Sequence, residues 1–191
     1  MTRLILMRHG NTFEEGETPV QVGARTDLSL TGKGRGQAEA MLRYLLEQKI
    51  CPKAIFAGSL KRQTESAQII AQGFGLAFEH EPALTEIDYG VWEGLTAEEI
   101  AGRWPTEHAE WEAGKWQRTI FGGTEEGSLR AVEAWLGRLR KACREDDVIL
   151  GVTSNGLLRR FRNEKVKTGH FCELVLLGER VSIQKWNVKP L

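Results

Sequence analysis

Residues 148–160 read VILGVTSNGLLRR. An apolar run, Val148 to Thr153, gives way to Ser154, Asn155 and Gly156, and Leu157 and Leu158 resume on the far side. A buried strand that ends in a glycine turn and opens into a helix is the building unit of an α/β protein. Such proteins place their chemistry at the carboxyl ends of strands. The residue at this tip is Asn155, which is neutral and can neither take up nor pass on a proton. The stretch is therefore either a binding loop or an active site with one titratable group missing.

Outward from this stretch, the chain alternates strands with helices. Arg3–Met7 is a short apolar run ending in charge and glycine, and reads as the first strand. Across 31–49 the apolar residues Ala38, Met41, Leu42, Leu45 and Leu46 recur at helix spacing. Lys53–Ala57 reads as a second strand, and Leu60–Phe74 as a second helix with Ala67, Ile69, Ile70 and Ala71 inward. A helix capped by Ser128 is expected to run to about Arg144 with Leu129, Val132, Leu136 and Leu139 on its core face. After the strand 148–153 come a short helix and two strands, Phe171–Leu177 and Val181–Trp186, joined at Gly178. The expected fold is α/β: a three-layer α/β/α sandwich on a mostly parallel central sheet, with an antiparallel hairpin at one edge. The whole of 1–191 is expected to form one domain. Residues 79–127 are irregular, hold four of the six tryptophans, and are expected to be a lid or insertion over the sheet.

Bulk properties narrow the function classes. A chain of 191 residues can bury a sizeable core, and its formal net charge is +0. That balance gives no general pull toward nucleic acid or an anionic membrane. The basic stretch RRFRNEK (159–165) is expected to be a solvated helix end. Cys51, Cys143 and Cys172 are scattered and read as buried free thiols. The opening LILM run is too short for a signal peptide or a membrane span, so a cytoplasmic protein is expected. REDD (144–147) reads as a turn, and the four histidines lack zinc spacing. No metal or cofactor is expected. GKGRG (32–36) lacks phosphate-loop spacing and reads as a helix start.

Three clusters could do chemistry. In LILMRHGNT (4–12), His9 follows a buried strand between arginine and glycine. Imidazole can be phosphorylated on nitrogen, Arg8 offers a fork for phosphate oxygens, and Gly10 lets backbone approach a ligand. A capping or core histidine fits the same residues. In FAGSLKRQTESA (56–67), Arg62 lies in the first turn of a helix, where backbone N–H groups favour anions. A solvated arginine is the alternative there. In LTEIDYGVWEG (84–94), Glu86 among Leu84, Ile87, Tyr89 and Trp92 is a candidate general acid with a raised pKa; the alternative is a surface glutamate.

Taken in order, LILMRHGNT, DLSLTGKGRGQA, GSLKRQTESA, LTEIDYGVWEG and VTSNGLLRR resemble the histidine phosphatase superfamily. That family includes cofactor-dependent phosphoglycerate mutases, fructose-2,6-bisphosphatases and alpha-ribazole phosphatases. The resemblance spans nearly the whole chain. It implies a metal-free phosphoryl-transfer site acting on a small phosphorylated substrate, with inorganic phosphate as product. His9 would be the nucleophile, Arg8 and Arg62 the clamp on the phosphoryl oxygens, and Glu86 the proton donor. Asn11, where many members carry glutamate, and Thr12 would contact phosphate or substrate, with Gly156 beside Asn155. The chain is shorter than typical mutases, which favours hydrolysis.

The departure is Asn155, which stands where relatives carry a second histidine. Losing one charge-assisted hydrogen bond costs roughly 1.5–3 kcal/mol, about a 10- to 150-fold loss of rate. Deletions of oxyanion donors suggest about 10²–10³. The arithmetic predicts a slowed enzyme. A binder without turnover, a mutase, and an introduced substitution that traps ligand are the other readings. Rescue by His80, His108 or His170 is a further one, although His170 is expected at the wrong end of the sheet. Arg160 is spaced like an arginine of relatives, so the local turn is expected to be kept.

Overall fold

A computed structural model describes residues 1–190 of the chain. Its centre is a six-stranded sheet: β1 (Thr2–Arg8), β2 (Ala54–Ala57), β3 (Glu79–His80), β4 (Val148–Thr153), β5 (Phe171–Leu177) and β6 (Arg180–Val188). The order across the sheet is β3-β2-β4-β1-β5-β6. Neighbours from β3 to β1 are parallel, while β5 runs antiparallel to both β1 and β6. The mostly parallel sheet with an antiparallel edge is therefore as read from the sequence.

Strand period explains the two cores. In β1, Leu4 and Leu6 face one side of the sheet, and Ile5 and Met7 the other; all four are fully buried. On the first side lies α5 (Glu125–Ala142), packing Val132, Trp135, Leu136 and Leu139 onto Leu4, Leu6 and Ile149. On the second lie α1 (Gly32–Glu47) and α2 (Lys61–Phe74). They set Ala38, Met41, Leu45, Ala67, Ile70 and Ala71 against Ile5, Met7, Leu150 and Val152. Burying each large aliphatic side chain is worth roughly 1.5–3 kcal/mol, so these two layers hold the sheet and its strand ends in place.

Some expectations need correction. The cap of α5 is Thr124, whose side chain accepts from Gly127 N–H, so the helix starts a turn before Ser128. Glu125 and Glu126 in its first turn and Arg140 and Lys141 in its last complement the helix dipole. In this register Leu129 falls off the core stripe and is 43% exposed. Of the cysteines only Cys172 is buried; Cys143 is half-buried and Cys51 exposed. The basic stretch is not a solvated helix end throughout. The Arg159 guanidinium lies 4.3 Å from the Trp111 ring centroid, and Arg160 pairs with Glu125 at 2.8 Å. Both side chains are buried.

Residues 79–127 are more ordered than their composition suggests. Glu79 and His80 form β3 at the sheet edge, and Leu84 joins the main core beside Leu4 and Leu6. Beyond Leu84, α3 (Ala97–Arg103) and α4 (Pro105–Glu112) gather around a satellite cluster. At its centre the Phe121 ring meets Tyr89, Trp92, Trp111 and Trp116 edge-on at 5.0–5.3 Å. Among the described residues no helix is long and apolar enough to cross a membrane.

Candidate active site

The carboxyl ends of β1 and β4 lie side by side, with Arg8 paired to Thr153, and the turns that follow bring His9 and Asn155 to one cleft. That cleft, about 360 Å³, is lined by Arg8, His9, Asn11, Thr12, Glu86, Tyr89, Asn155, Lys165 and Thr168 among others. Residues from distant sequence segments thus converge on one cleft, while Arg62 and Gly156 are not among its lining residues.

His9 is fixed at both ends. Its backbone N–H donates to Thr153 O at 2.9 Å, and its ring Nδ1 lies 2.7 Å from Gly10 O. A carbonyl only accepts, so Nδ1 carries the proton and Nε2 keeps its lone pair. Burial lowers the imidazole pKa well below its usual value, and Arg8 and Arg62 reinforce the shift. The ring is held neutral and nucleophilic. Gly10 is required here because a Cβ would lie 2.2 Å from Gly34 O, at the first turn of α1.

Two arginines surround the imidazole. Arg8 donates to Val166 O at 2.6 Å, and Arg62 donates to Thr26 O at 2.7 Å and Gly23 O at 3.1 Å. Arg62 sits in the first turn of α2 and is 1% exposed. In both guanidinium groups Nε is buried without a hydrogen-bond partner. Leaving a buried donor unsatisfied costs roughly 1–3 kcal/mol, and more for a charged group. Arg140 and Arg160 share this feature outside the cleft lining, so what suits the site to an anion is two guanidinium charges beside one neutral imidazole.

Glu86 lies across the cleft, its loop pinned by the Leu84 carbonyl. That carbonyl accepts from Gln63 Nε2 at 2.9 Å and from Thr153 Oγ1 at 2.7 Å. Burial raises the Glu86 pKa, opposed by N–H bonds from Ile87 and Gly156 and by the positive charge of Arg62 and Arg8. Desolvation is the largest of these effects, so the carboxyl holds its proton to higher pH than an exposed glutamate. Gly156 directs its N–H to Glu86 Oε2 at 3.2 Å, not into the cleft. A Cβ at Gly156 would lie 2.2 Å from the Tyr89 hydroxyl and 2.3 Å from Glu86 Oε1, so glycine is needed for this packing.

Asn155 lines the cleft, and its Oδ1 accepts from Val166 N–H at 2.8 Å. Because Val166 N–H can only donate, the opposite amide nitrogen, with two donors, is directed away from it. Val166 thus holds Asn155 by its N–H and Arg8 by its C=O. Asn11 spends its side-chain nitrogen on Phe13 O and Thr31 Oγ1, which tightens its own loop. Thr12 lines the wall beside it.

None of the other histidines is in the cleft lining. His170 is nevertheless at the active-site end of the sheet, contrary to expectation. β5 runs antiparallel, so its start lies beside Arg8, whose N–H donates to His170 O at 2.9 Å. The ring turns away, with Nδ1 3.1 Å from Asn187 O. His80 is in β3, and His108 packs near Trp92. Tyr89, Lys165 and Val166 were not singled out from sequence as site residues. Tyr89 is buried, and burial together with the Glu86 carboxylate pushes its phenol well above the usual range, so it stays a hydroxyl. Lys165 and Val166 reach the site only because the chain loops back between α6 (Asn155–Leu158) and β5.

Known proteins share this chain's sequence pattern and fold. The chain is 30% identical over 160 residues to a probable phosphoglycerate mutase of Yersinia enterocolitica, covering 83% of this chain and 68% of that one. It is 33% identical over 106 residues to a 6-phosphofructo-2-kinase/fructose-2,6-bisphosphatase of Gallus gallus, covering 56% of this chain. The match spans only 21% of that longer relative. The fold is similar to that of a mycobacterial glucosyl-3-phosphoglycerate phosphatase, with a TM-score of 0.85, 21% identity, and coverage of 97% of this chain and 98% of that one. The model of the histidine phosphatase superfamily (branch 1) matches residues 4–188, and the chain belongs to that superfamily.

Proposed function

We propose that the chain is a phosphomonoesterase that works through a phosphohistidine at His9 and needs no metal ion. The observation that carries this reading is an imidazole fixed in its Nδ1–H form beside the charges of Arg8 and Arg62, in a cleft that also holds Glu86. Nε2 of His9 attacks phosphorus, and the bond from phosphorus to the leaving oxygen breaks. Arg8 and Arg62 stabilise the charge spread over the equatorial oxygens. Glu86 gives its proton to the leaving oxygen. A water then attacks phosphorus, returns a proton to Glu86, and releases phosphate as the P–N bond breaks. Asn155 contributes a neutral donor where relatives use an imidazole, so turnover is slow by about one to three decades.

The substrate is a small phosphomonoester. Support comes from the cleft's size and from the mycobacterial relative of similar fold, which is described in complex with inorganic phosphate. Asn155 itself favours a second reading, a phosphate-binding protein without turnover. The Yersinia relative favours a third, a mutase. Hydrolysis of p-nitrophenyl phosphate in the presence of a chelator separates the first two. Slow turnover that is absent from His9→Ala supports the phosphatase, whereas rates equal to His9→Ala with phosphate still bound support the binder. Isomerisation of phosphoglycerate without phosphate release would identify the mutase.

A further inference from the structure

We propose that Lys165 is a mobile cation of the phosphoryl site and supplies the charge that Asn155 lacks. The inference rests on the phosphatase reading above and adds a residue to it.

Four observations converge on this side chain. Lys165 lines the same cleft as Arg8, His9 and Asn155. It directly precedes Val166, whose N–H holds Asn155 and whose C=O holds Arg8, so its backbone is fixed relative to the phosphate clamp. The other cations near the cleft have side chains held in place by fixed partners. Arg8 and Arg62 are held by carbonyls, Arg159 by Asn163 and the carbonyls of Trp111 and Glu112, and Arg160 by Glu125.

Lys165 alone has a cheap tether. Its side chain is 68% exposed, and its ammonium pairs with Glu112 Oε2 at 3.2 Å. An exposed pair of this kind contributes little, and a flexible ammonium is free to change partners. A phosphoryl dianion carries twice the charge of Glu112 and sits beside Asn155, which cannot compete for it as a cation would. Lys165 therefore leaves Glu112 when phosphate arrives, and Glu112 keeps a cation in Arg159, 3.6 Å away. A histidine at 155 would supply part of this charge, and the lysine would matter less.

The test is steady-state hydrolysis of p-nitrophenyl phosphate, with inhibition by inorganic phosphate, at fixed ionic strength. The proteins are the native chain, Lys165→Gln, Lys165→Arg, Lys167→Gln, Asn155→His, and Lys165→Gln combined with Asn155→His. Lys167 is an exposed neighbour that does not line the cleft, so it controls for net charge. Lys165→Gln should lower kcat/KM and raise the phosphate inhibition constant by about tenfold. Lys165→Arg should restore most of that loss, and Lys167→Gln should stay within about twofold. In the Asn155→His background the Lys165→Gln effect should shrink to about two- to threefold, because the two groups supply the same charge. The proposal is overturned if Lys165→Gln matches the native chain, if Lys167→Gln loses as much, or if the loss is equal in both backgrounds. If the native chain neither turns over nor binds phosphate, the phosphatase reading falls and the lysine's role with it.

Discussion

Replacing Asn155 with histidine tests the site at a lining residue whose side chain can neither carry charge nor pass on a proton. Asn155 Oδ1 accepts from Val166 N–H at 2.8 Å. A histidine there carries charge only when both ring nitrogens are protonated, so it gives up the bond from Val166 N–H and directs an N–H into the cleft, where Asn155 already borders open space. A neutral hydrogen bond contributes roughly 0.5–1.5 kcal/mol and a charge-assisted one roughly 1.5–3. If the native amide already donates to the phosphoryl group, the gain is about 1–1.5 kcal/mol. If it does not, the gain is the full charge-assisted value. Converted to rate, the range is about 5- to 150-fold, and the intact Asn155 tether favours its lower part. The assay is release of p-nitrophenol and phosphate by native protein, Asn155→His and Asn155→His with His9→Ala. The gain should fall mainly on kcat, because the added charge matters most in the transition state. A folded Asn155→His protein with a rate at or below the native value, while His9 still labels, would refute the idea that a missing charge limits this enzyme.

Three further outcomes follow from the same geometry. Glu86→Gln should slow alkyl phosphates by about 10²–10⁴-fold but p-nitrophenyl phosphate far less, since that leaving group departs without a proton; equal losses on both would remove Glu86 as the acid. Phosphate at a hundred times its Kd should stabilise the fold by about 2.7 kcal/mol, a rise in Tm of roughly 5–11 °C, and Arg62→Ala should abolish the shift seen by calorimetry. Because the folded chain holds His9 below its usual pKa, the unfolded chain binds that proton first as pH falls below 6.5. Native stability should therefore drop on acidification by up to about 1.4 kcal/mol per pH unit in that window, and His9→Gln should show a shallower slope in urea titrations; parallel slopes would contradict a neutral buried imidazole.

Much of this molecule can be read from its sequence where one local period or one short motif decides the outcome. Val148–Thr153 and Phe171–Leu177 have the bounds expected of them, because continuous apolar runs between turn signals leave little choice. His9, Glu86 and Asn155 meet because each follows a strand or a loop pinned to one. The reading failed where a distant contact outweighed local character. Arg159 and Arg160 are basic and adjacent, yet they are buried because Trp111, Trp116 and Glu125 come to them from elsewhere in the chain. Ser128 and Thr124 are both competent caps; the acidic pair Glu125 and Glu126 marks the true start, while Gly127 obscures it. Lys165 carried no local signal, since its place beside the cleft depends on how the chain returns from α6 to β5.

The central claim is that His9 becomes covalently phosphorylated. The most direct measurement is to mix the protein with a ³²P-labelled phosphomonoester, quench in alkali where phosphohistidine survives, and map the label by peptide sequencing. The account predicts label on the peptide containing His9, none in His9→Ala, and less steady-state label in Asn155→His if hydrolysis of the intermediate is the step that histidine restores. Phosphate binding at the arginine pair with no label at any time or pH, and no turnover, would contradict it and leave a phosphate-binding protein built on the same fold.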